Sequence, residues 1–299
     1  MSKQQRLALA GIFRQLPFTI AGDPAEQRAA MEAALTAIPL PGDVTTTPGV
    51  LGGVPVLTID VDGVDSSKVL VYFHGGVYVL GSARAGAGLA AALGRHAGVR
   101  VISVDYRLAP EHPYPAAIYD ALVVYRAVLE QIPSSQIALA GESAGGGLVA
   151  ALLLRLKELD LPLPASSVAL SPWVDLTLSG QSMSSKASID PSVLTPEGLR
   201  IRVPDYLGGM DPATPDISPI FADLSGLPPM LIQVGSHEIL LDDAVRLAAQ
   251  AAAHDVEVTL QVTPEVPHVF QAFAAVLDEG KAALRGAGAF LRTHFEEKK

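Results

Sequence analysis

Short runs rich in valine and isoleucine recur along the chain, separated by longer alanine- and leucine-rich stretches with helical period. The runs at 54–59, 68–73, 99–104, 136–140, 167–170, 230–234 and 256–262 read as strands. They are apolar throughout rather than alternating, which is the pattern of strands buried on both faces. Between them, 84–96, 115–131, 144–159, 240–253 and 279–295 read as helices. Strands alternating with helices in this way imply βαβ units, so the expected fold class is α/β, with a mostly parallel central sheet and helices on both faces.

Two regions break the alternation. Residues 1 to about 45 carry helical periodicity at 6–15 and 24–37, and residues 179–209 are serine-rich before a short amphipathic stretch at 196–207. Neither has a strand to belong to. Segments inserted on a rigid scaffold commonly form binding elements. The expected organisation is therefore a helical cap from 1–45 and 179–209 over a main α/β domain from 46–178 and 210–299.

Composition narrows the functional classes. Hydrophobic residues at 49% against 17% charged describe a chain with a large buried core. A formal charge of −10 without any run of clustered lysine and arginine argues against a nucleic-acid partner. The absence of cysteine excludes disulfides, thiolate catalysis and cysteine-ligated zinc. No segment approaches the ~20 apolar residues of a membrane span. The stretch from Met1 to Ala8 lacks the apolar core and cleavage site of a secretory leader, so a cytoplasmic location is expected.

Candidate chemistry centres on Gly141-Glu142-Ser143-Ala144-Gly145, between a predicted strand and a predicted helix. A G-x-S-x-G turn of this kind holds a serine hydroxyl exposed, and its glycines permit the tight backbone. A serine nucleophile needs a base to take its proton and a third group to orient that base. In an α/β-hydrolase these follow the serine as acid and then histidine. His268 and His294 are the histidines that follow the late strands. His268, in the loop after the last strand, is the better base; His294, in the C-terminal helix beside Glu296 and Glu297, reads as a solvated surface residue. Glu238 lies in the turn after the strand at 230–234 and is the preferred acid. Asp242 is the reserve; it and Asp243 fall on the following helix, where first-turn acids usually serve the dipole.

The run Tyr72-Phe73-His74-Gly75-Gly76-Val77-Tyr78 follows a strand as the oxyanion loop of lipases and esterases does. The expected oxyanion donors are the backbone N–H groups of Gly75, Gly76 and Val77 with that of Ala144. Val77 replaces a third glycine, which keeps the N–H and adds bulk to the pocket wall. Gly145-x-Gly147-x-x-Ala150 also fits a dinucleotide fingerprint, but the acidic residue expected about 20 positions on is missing. No cofactor and no metal site is expected.

With these residues in view, the chain resembles the hormone-sensitive lipase family of α/β-hydrolases, in its bacterial esterase branch. The resemblance rests on His74-Gly75-Gly76, on Gly141-Glu142-Ser143-Ala144-Gly145 and on the long block from Asp105 to Ala117. Ser171-Pro172-Trp173-Val174-Asp175-Leu176 and Ile217-Ser218-Pro219-Ile220 extend it. It runs from about residue 50 to the C-terminus and is loose before that. It implies an α/β-hydrolase fold, a Ser143, Glu238, His268 triad and an N-terminal helical cap. The family often has aspartate where this chain has Glu238. Asp105, Arg107 and Asp175 then read as buttresses, and His74 as a brace of the loop.

The expected activity is hydrolysis of small acyl esters, short to medium in chain length, through an acyl-enzyme. A lactonase, amidase or arylformamidase could use the same triad, and a small-molecule receptor could use the same fold with a broken one. The strand at 256–262 falls near a sheet edge, and pairing of that edge would give a homodimer.

Overall fold

The protein is described as a computed structural model over residues 3–296. Residues 1, 2 and 297–299, which include Glu297 and the outer ends of the two expected regions, lie outside the described residues. The strands are β1 (Val44–Leu51), β2 (Val54–Val61), β3 (Asp65–Phe73), β4 (Val99–Val104), β5 (Ile137–Glu142), β6 (Ser166–Leu170), β7 (Met230–Gly235) and β8 (Val258–Thr263). They form one sheet in the order β1-β2-β4-β3-β5-β6-β7-β8. From β4 to β8 every neighbouring pair is parallel, while β2 runs antiparallel to both of its neighbours, β1 and β4.

The helices are α1 (Lys3–Gln15), α2 (Pro24–Thr36), α3 (Ala87–Ala97), α4 (Ala116–Leu129), α5 (Ala144–Glu158), α6 (Ser182–Ser185), α7 (Pro196–Leu207), α8 (Leu241–Ala253) and α9 (Asp278–Glu296). Alternation within the strands sorts them into layers. Val71 and Phe73 of β3 face the core beneath α4, α5 and α8, where Ile118, Leu148, Leu152 and Leu247 are buried. Leu70 and Tyr72 of the same strand face α3 and α9, with Leu89, Leu93, Leu284 and Leu291. Each such aliphatic side chain contributes roughly 1.5–3 kcal/mol by leaving water. The expected α/β class, sheet and helix pattern are all present.

β1 was not legible as a strand. It is mostly exposed and contains Pro48 and Gly49. At the sheet edge a proline that cannot donate to the ladder is tolerated. β8 forms the opposite edge, as expected, and alternates between half-buried and exposed positions rather than being apolar throughout.

The two regions without strands attach to one end of the sheet. On α1, Leu9 and Phe13 pack against Val266, Phe270 and Leu277 in the segment after β8, and the Phe13 and Phe273 rings lie 5.0 Å apart. On α2, Arg28 donates to the carbonyls of Val79 at 2.7 Å and Ala109 at 2.6 Å and pairs with Glu111. On α7, Leu199, Tyr206 and Leu207 join the main core, and buried Arg202 donates to the Ile20 carbonyl at 2.5 Å. That contact ties the segment 179–209 to the turn between α1 and α2. No described helix is long and apolar enough to cross a membrane.

Candidate active site

Parallel strands send their carboxyl-end loops to a common edge of the sheet, where ligands of open α/β sheets bind. The loops after β3, β5, β6, β7 and β8 bring Gly75, Ser143, Ser171, Glu238 and His268 to that edge.

Ser143 stands between β5 and α5 at φ 56° and ψ −122°, a backbone state that non-glycine residues rarely occupy. Surrounding structure over-determines it. Its N–H donates to Leu170 at 2.9 Å, and its carbonyl accepts from Trp173 at 3.0 Å. The turn closes only because Gly141 and Gly145 lack side chains. A Cβ on Gly145 would lie 2.1 Å from the Phe73 carbonyl oxygen, and one on Gly141 would lie 2.3 Å from the Gly145 carbonyl oxygen. Gly147 likewise has no room for a side chain, since a Cβ there would lie 2.1 Å from the Trp173 carbonyl oxygen.

Glu238 has no exposed surface. Its Oε1 accepts from the Ser171 hydroxyl at 2.9 Å and from the Gly235 N–H at 2.5 Å. Its Oε2 accepts from His268 Nδ1–H at 2.7 Å. The His268 side chain keeps 11% exposure, so the far nitrogen is directed away from the acid. Burial would lower the His268 pKa. The hydrogen bond and charge of Glu238, backed by the charges of Asp190 and Glu142, overcome burial and raise it above the ordinary histidine value.

Two contributors escaped the reading of the sequence. Ser171 stood within the Ser-Pro-Trp block without a role; its hydroxyl also accepts from the Val269 N–H at 3.1 Å, so it clasps the acid to the histidine loop. A serine at the carboxyl end of the strand beside β7 was the available signal. Asp190 reaches in from the segment 179–209, accepting from the Ile239 N–H at 3.1 Å.

Among the oxyanion candidates, Gly75 is corrected. Its N–H donates to Glu142 Oε1 at 2.8 Å and is taken before any substrate arrives. The donors that remain are Gly76, Val77 and Ala144. Gly76 needs to be glycine, with φ 116° and a would-be Cβ 2.2 Å from the Leu80 carbonyl oxygen. Ala144 opens α5, whose first-turn N–H groups lack intrahelical partners and carry the positive end of the helix dipole. The Val77 side chain is 1% exposed and packed into the core, so it adds no bulk to an open pocket wall.

His74 is buried, stacks on Tyr106 with ring centres 4.3 Å apart and bonds to the Gly75 carbonyl at 2.7 Å. Asp105 accepts from the Ala83 N–H at 2.9 Å, Arg107 pairs with Asp120 at 2.8 Å, and Asp175 pairs with Arg246 at 2.6 Å. The reserve acid Asp242 points elsewhere, accepting from the Ser182 N–H at 2.9 Å. Asp243, in the first turn of α8, is fully buried and accepts from the N–H groups of Val174 and Asp175 outside that helix. His294 is 8% exposed and bonds to the Phe290 carbonyl, which corrects the expectation of a solvated surface residue. Among the described residues, no group of three or more metal-ligating side chains converges.

A family model described as alpha/beta hydrolase fold matches residues 70–272. An acetyl-hydrolase of Streptomyces hygroscopicus is 45% identical over 227 residues, 76% of this chain and 76% of that protein. The crystal structure of an esterase from the bacterial hormone-sensitive lipase family superposes with a TM-score of 0.95 at 41% identity, covering 99% of each chain. The esterase EstE5, crystallised and soaked with p-nitrophenyl butyrate, superposes with a TM-score of 0.93 at 35% identity, covering 98% of this chain and 99% of that one.

Proposed function

Because the chain belongs to the α/β-hydrolase family, in its bacterial hormone-sensitive lipase branch, and is a carboxylic ester hydrolase, we propose that it works as a serine esterase through an acyl-enzyme on Ser143. The observation that carries this reading is the 2.7 Å bond between His268 and a fully buried Glu238, at the sheet edge that also holds strained Ser143.

His268 Nε2 takes the Ser143 Oγ proton as Oγ attacks the ester carbonyl carbon. The carbonyl oxygen becomes an oxyanion held by the N–H groups of Gly76, Val77 and Ala144, each worth about 2.7–4 kcal/mol in such sites. As the carbon–oxygen bond to the alcohol breaks, His268 gives its proton to the departing oxygen. Water then attacks the acyl carbonyl and passes a proton to His268. Ser143 leaves with that proton, and the acid is released. Glu238 holds the imidazole in the required tautomer and stabilises the imidazolium.

Helices α1 and α2 with residues 179–209 form the cap in this reading, since they attach to the loops of Val79 and Phe270 at the same edge. Short acyl chains are the proposed substrates. An acetyl-hydrolase and an esterase soaked with a butyrate ester are similar proteins, and the cap's apolar residues Phe13, Leu194 and Leu207 are spent on packing. Two copies pairing along β8, where Val262 is 43% exposed, would give a particle of twice 31.1 kDa by light scattering; a mass of one chain would exclude the dimer.

The test of function is hydrolysis of p-nitrophenyl acetate, butyrate and decanoate by the wild type and Ser143→Ala. The wild type is expected to prefer the two short esters, and the variant to be inactive. Undiminished hydrolysis by Ser143→Ala would overturn the mechanism, and a maximum at decanoate would overturn the chain-length preference.

A further inference from the structure

Glu142, between the G-x-S-x-G glycine and the nucleophile, commits both carboxyl oxygens to the neighbouring strand and its loop. Oε1 accepts from the Gly75 N–H at 2.8 Å, and Oε2 is bonded to the Tyr72 hydroxyl. Tyr72 is the last residue but one of β3, and Gly75 is the second residue beyond that strand. One side chain thus spans the end of a strand and the start of the loop that follows it. From the other side, the Tyr106 hydroxyl donates to the His74 carbonyl at 2.7 Å, and its ring stacks on His74. Gly75 is in close contact as well, since a Cβ there would come within 3.1 Å of Ser143 Cβ.

We propose that Glu142 is the positioning residue of the oxyanion loop, fixing the Gly76 and Val77 amides relative to Ser143 by bridging the Gly75 N–H and the Tyr72 hydroxyl. The inference rests on the ester-hydrolysis reading above. What the loop requires is a bridge, not a charge. Burial raises the Glu142 pKa to about 7, against the opposing pull of its bonds from Tyr72 and Gly75. Near neutral pH both forms are populated. The carboxylate accepts from both partners; the acid keeps the bond from Gly75 and donates to the Tyr72 oxygen instead. Glutamine can do the same with its carbonyl and its amide. Alanine can do neither, and it leaves the Gly75 N–H without a partner.

The titratable groups facing Glu142 are Tyr72, Tyr106 and His268. Loss of its negative charge therefore has a second effect, because that charge helps to raise the His268 pKa. Glu142→Gln should keep the loop in place and move the acid limb of kcat/KM to lower pH. A side chain that only supported the fold would not produce that pairing.

The experiment measures kcat, KM, the pH profile and Tm on p-nitrophenyl butyrate for Glu142→Ala, Glu142→Gln and Tyr72→Phe, with Ser143→Ala as reference. Glu142→Ala should lose about 10- to 100-fold in kcat with KM nearly unchanged, the signature of an interaction made mainly in the transition state. Glu142→Gln should return to within about fivefold of wild type, and Tyr72→Phe should fall between the two. Wild-type kcat in Glu142→Ala beside an inactive Ser143→Ala would overturn the inference and leave the esterase reading intact. So would a Glu142→Gln as poor as Glu142→Ala at equal Tm. If Glu142→Ala does not fold, an active Glu142→Gln with an impaired Tyr72→Phe supports the bridge, and a Tyr72→Phe equal to wild type overturns it. An active Ser143→Ala would refute the underlying reading and this inference with it.

Discussion

His268 and Glu238 are joined by a 2.7 Å hydrogen bond between side chains that leave neighbouring parallel strands. Glu238 has no exposed surface, and its other oxygen is occupied by Ser171 and Gly235. Replacing it by glutamine keeps the shape and presents either the wrong group to His268 or the wrong group to Ser171. Glu238→Gln is expected to lower kcat by about 10²- to 10⁴-fold with little change in KM, measured on p-nitrophenyl butyrate.

The charge around His268 sets its pH profile. Burial works to lower its pKa, and Glu238, Asp190 and Glu142 together raise it above the ordinary value. The base must be neutral to act, so activity falls as pH drops through that raised pKa. Asp190→Asn removes one of the negative charges, lowers the His268 pKa and moves the acid limb of kcat/KM to lower pH. A limb that stays in place would show that Asp190 exerts no field on the base.

Much of this site could be read from residue order alone. Ser143 and Glu238 follow runs of buried apolar residues, which have few alternative readings, and His268 follows β8, whose valines and leucine still read as a strand although its positions are half-buried or exposed. The hidden features were those whose partners are distant in sequence. β1 escaped because its exposed positions, Pro48 and Gly49 resemble a loop, and only pairing with β2 makes it a strand. Engagement of the Gly75 N–H by Glu142, 67 positions away, removes a donor that spacing alone would have included. The burial of His294 and Asp243 likewise comes from packing, since both stand on helices whose sequence suggests exposed polar faces.

The oxyanion loop has no room for a side chain at Gly76. An alanine there would combine φ 116° with a contact 2.2 Å from the Leu80 carbonyl oxygen. Gly76→Ala is expected to lower kcat by about 100-fold as the donors shift. Gly88→Ala, on α3 with nothing within 4 Å of the added methyl, is the control and should leave kcat and Tm near wild type.

Asp243 makes stability depend on pH. Burial, with the neighbouring charge of Asp175, raises its pKa to about 8 against the bonds it accepts from Val174 and Asp175. The folded state therefore holds a proton that the unfolded state releases above the ordinary aspartate pKa of about 3.9. This contribution is full below that pKa and is lost as pH rises toward 8. Asp243→Asn keeps an acceptor for both N–H groups and needs no proton. It should raise Tm by roughly 2–4 °C at pH 8, with a smaller difference at pH 5. A lower Tm at pH 8 would show that the charged carboxylate is the stabilising form.

The proposed nucleophile is open to a direct test by mass spectrometry of the intact chain and its peptides after reaction with a p-nitrophenyl alkylphosphonate, whose adduct does not hydrolyse. One adduct per chain, on the peptide that contains Ser143, with loss of activity in proportion to labelling, is the predicted result. Complete inactivation with Ser143 unmodified would contradict a nucleophilic Ser143.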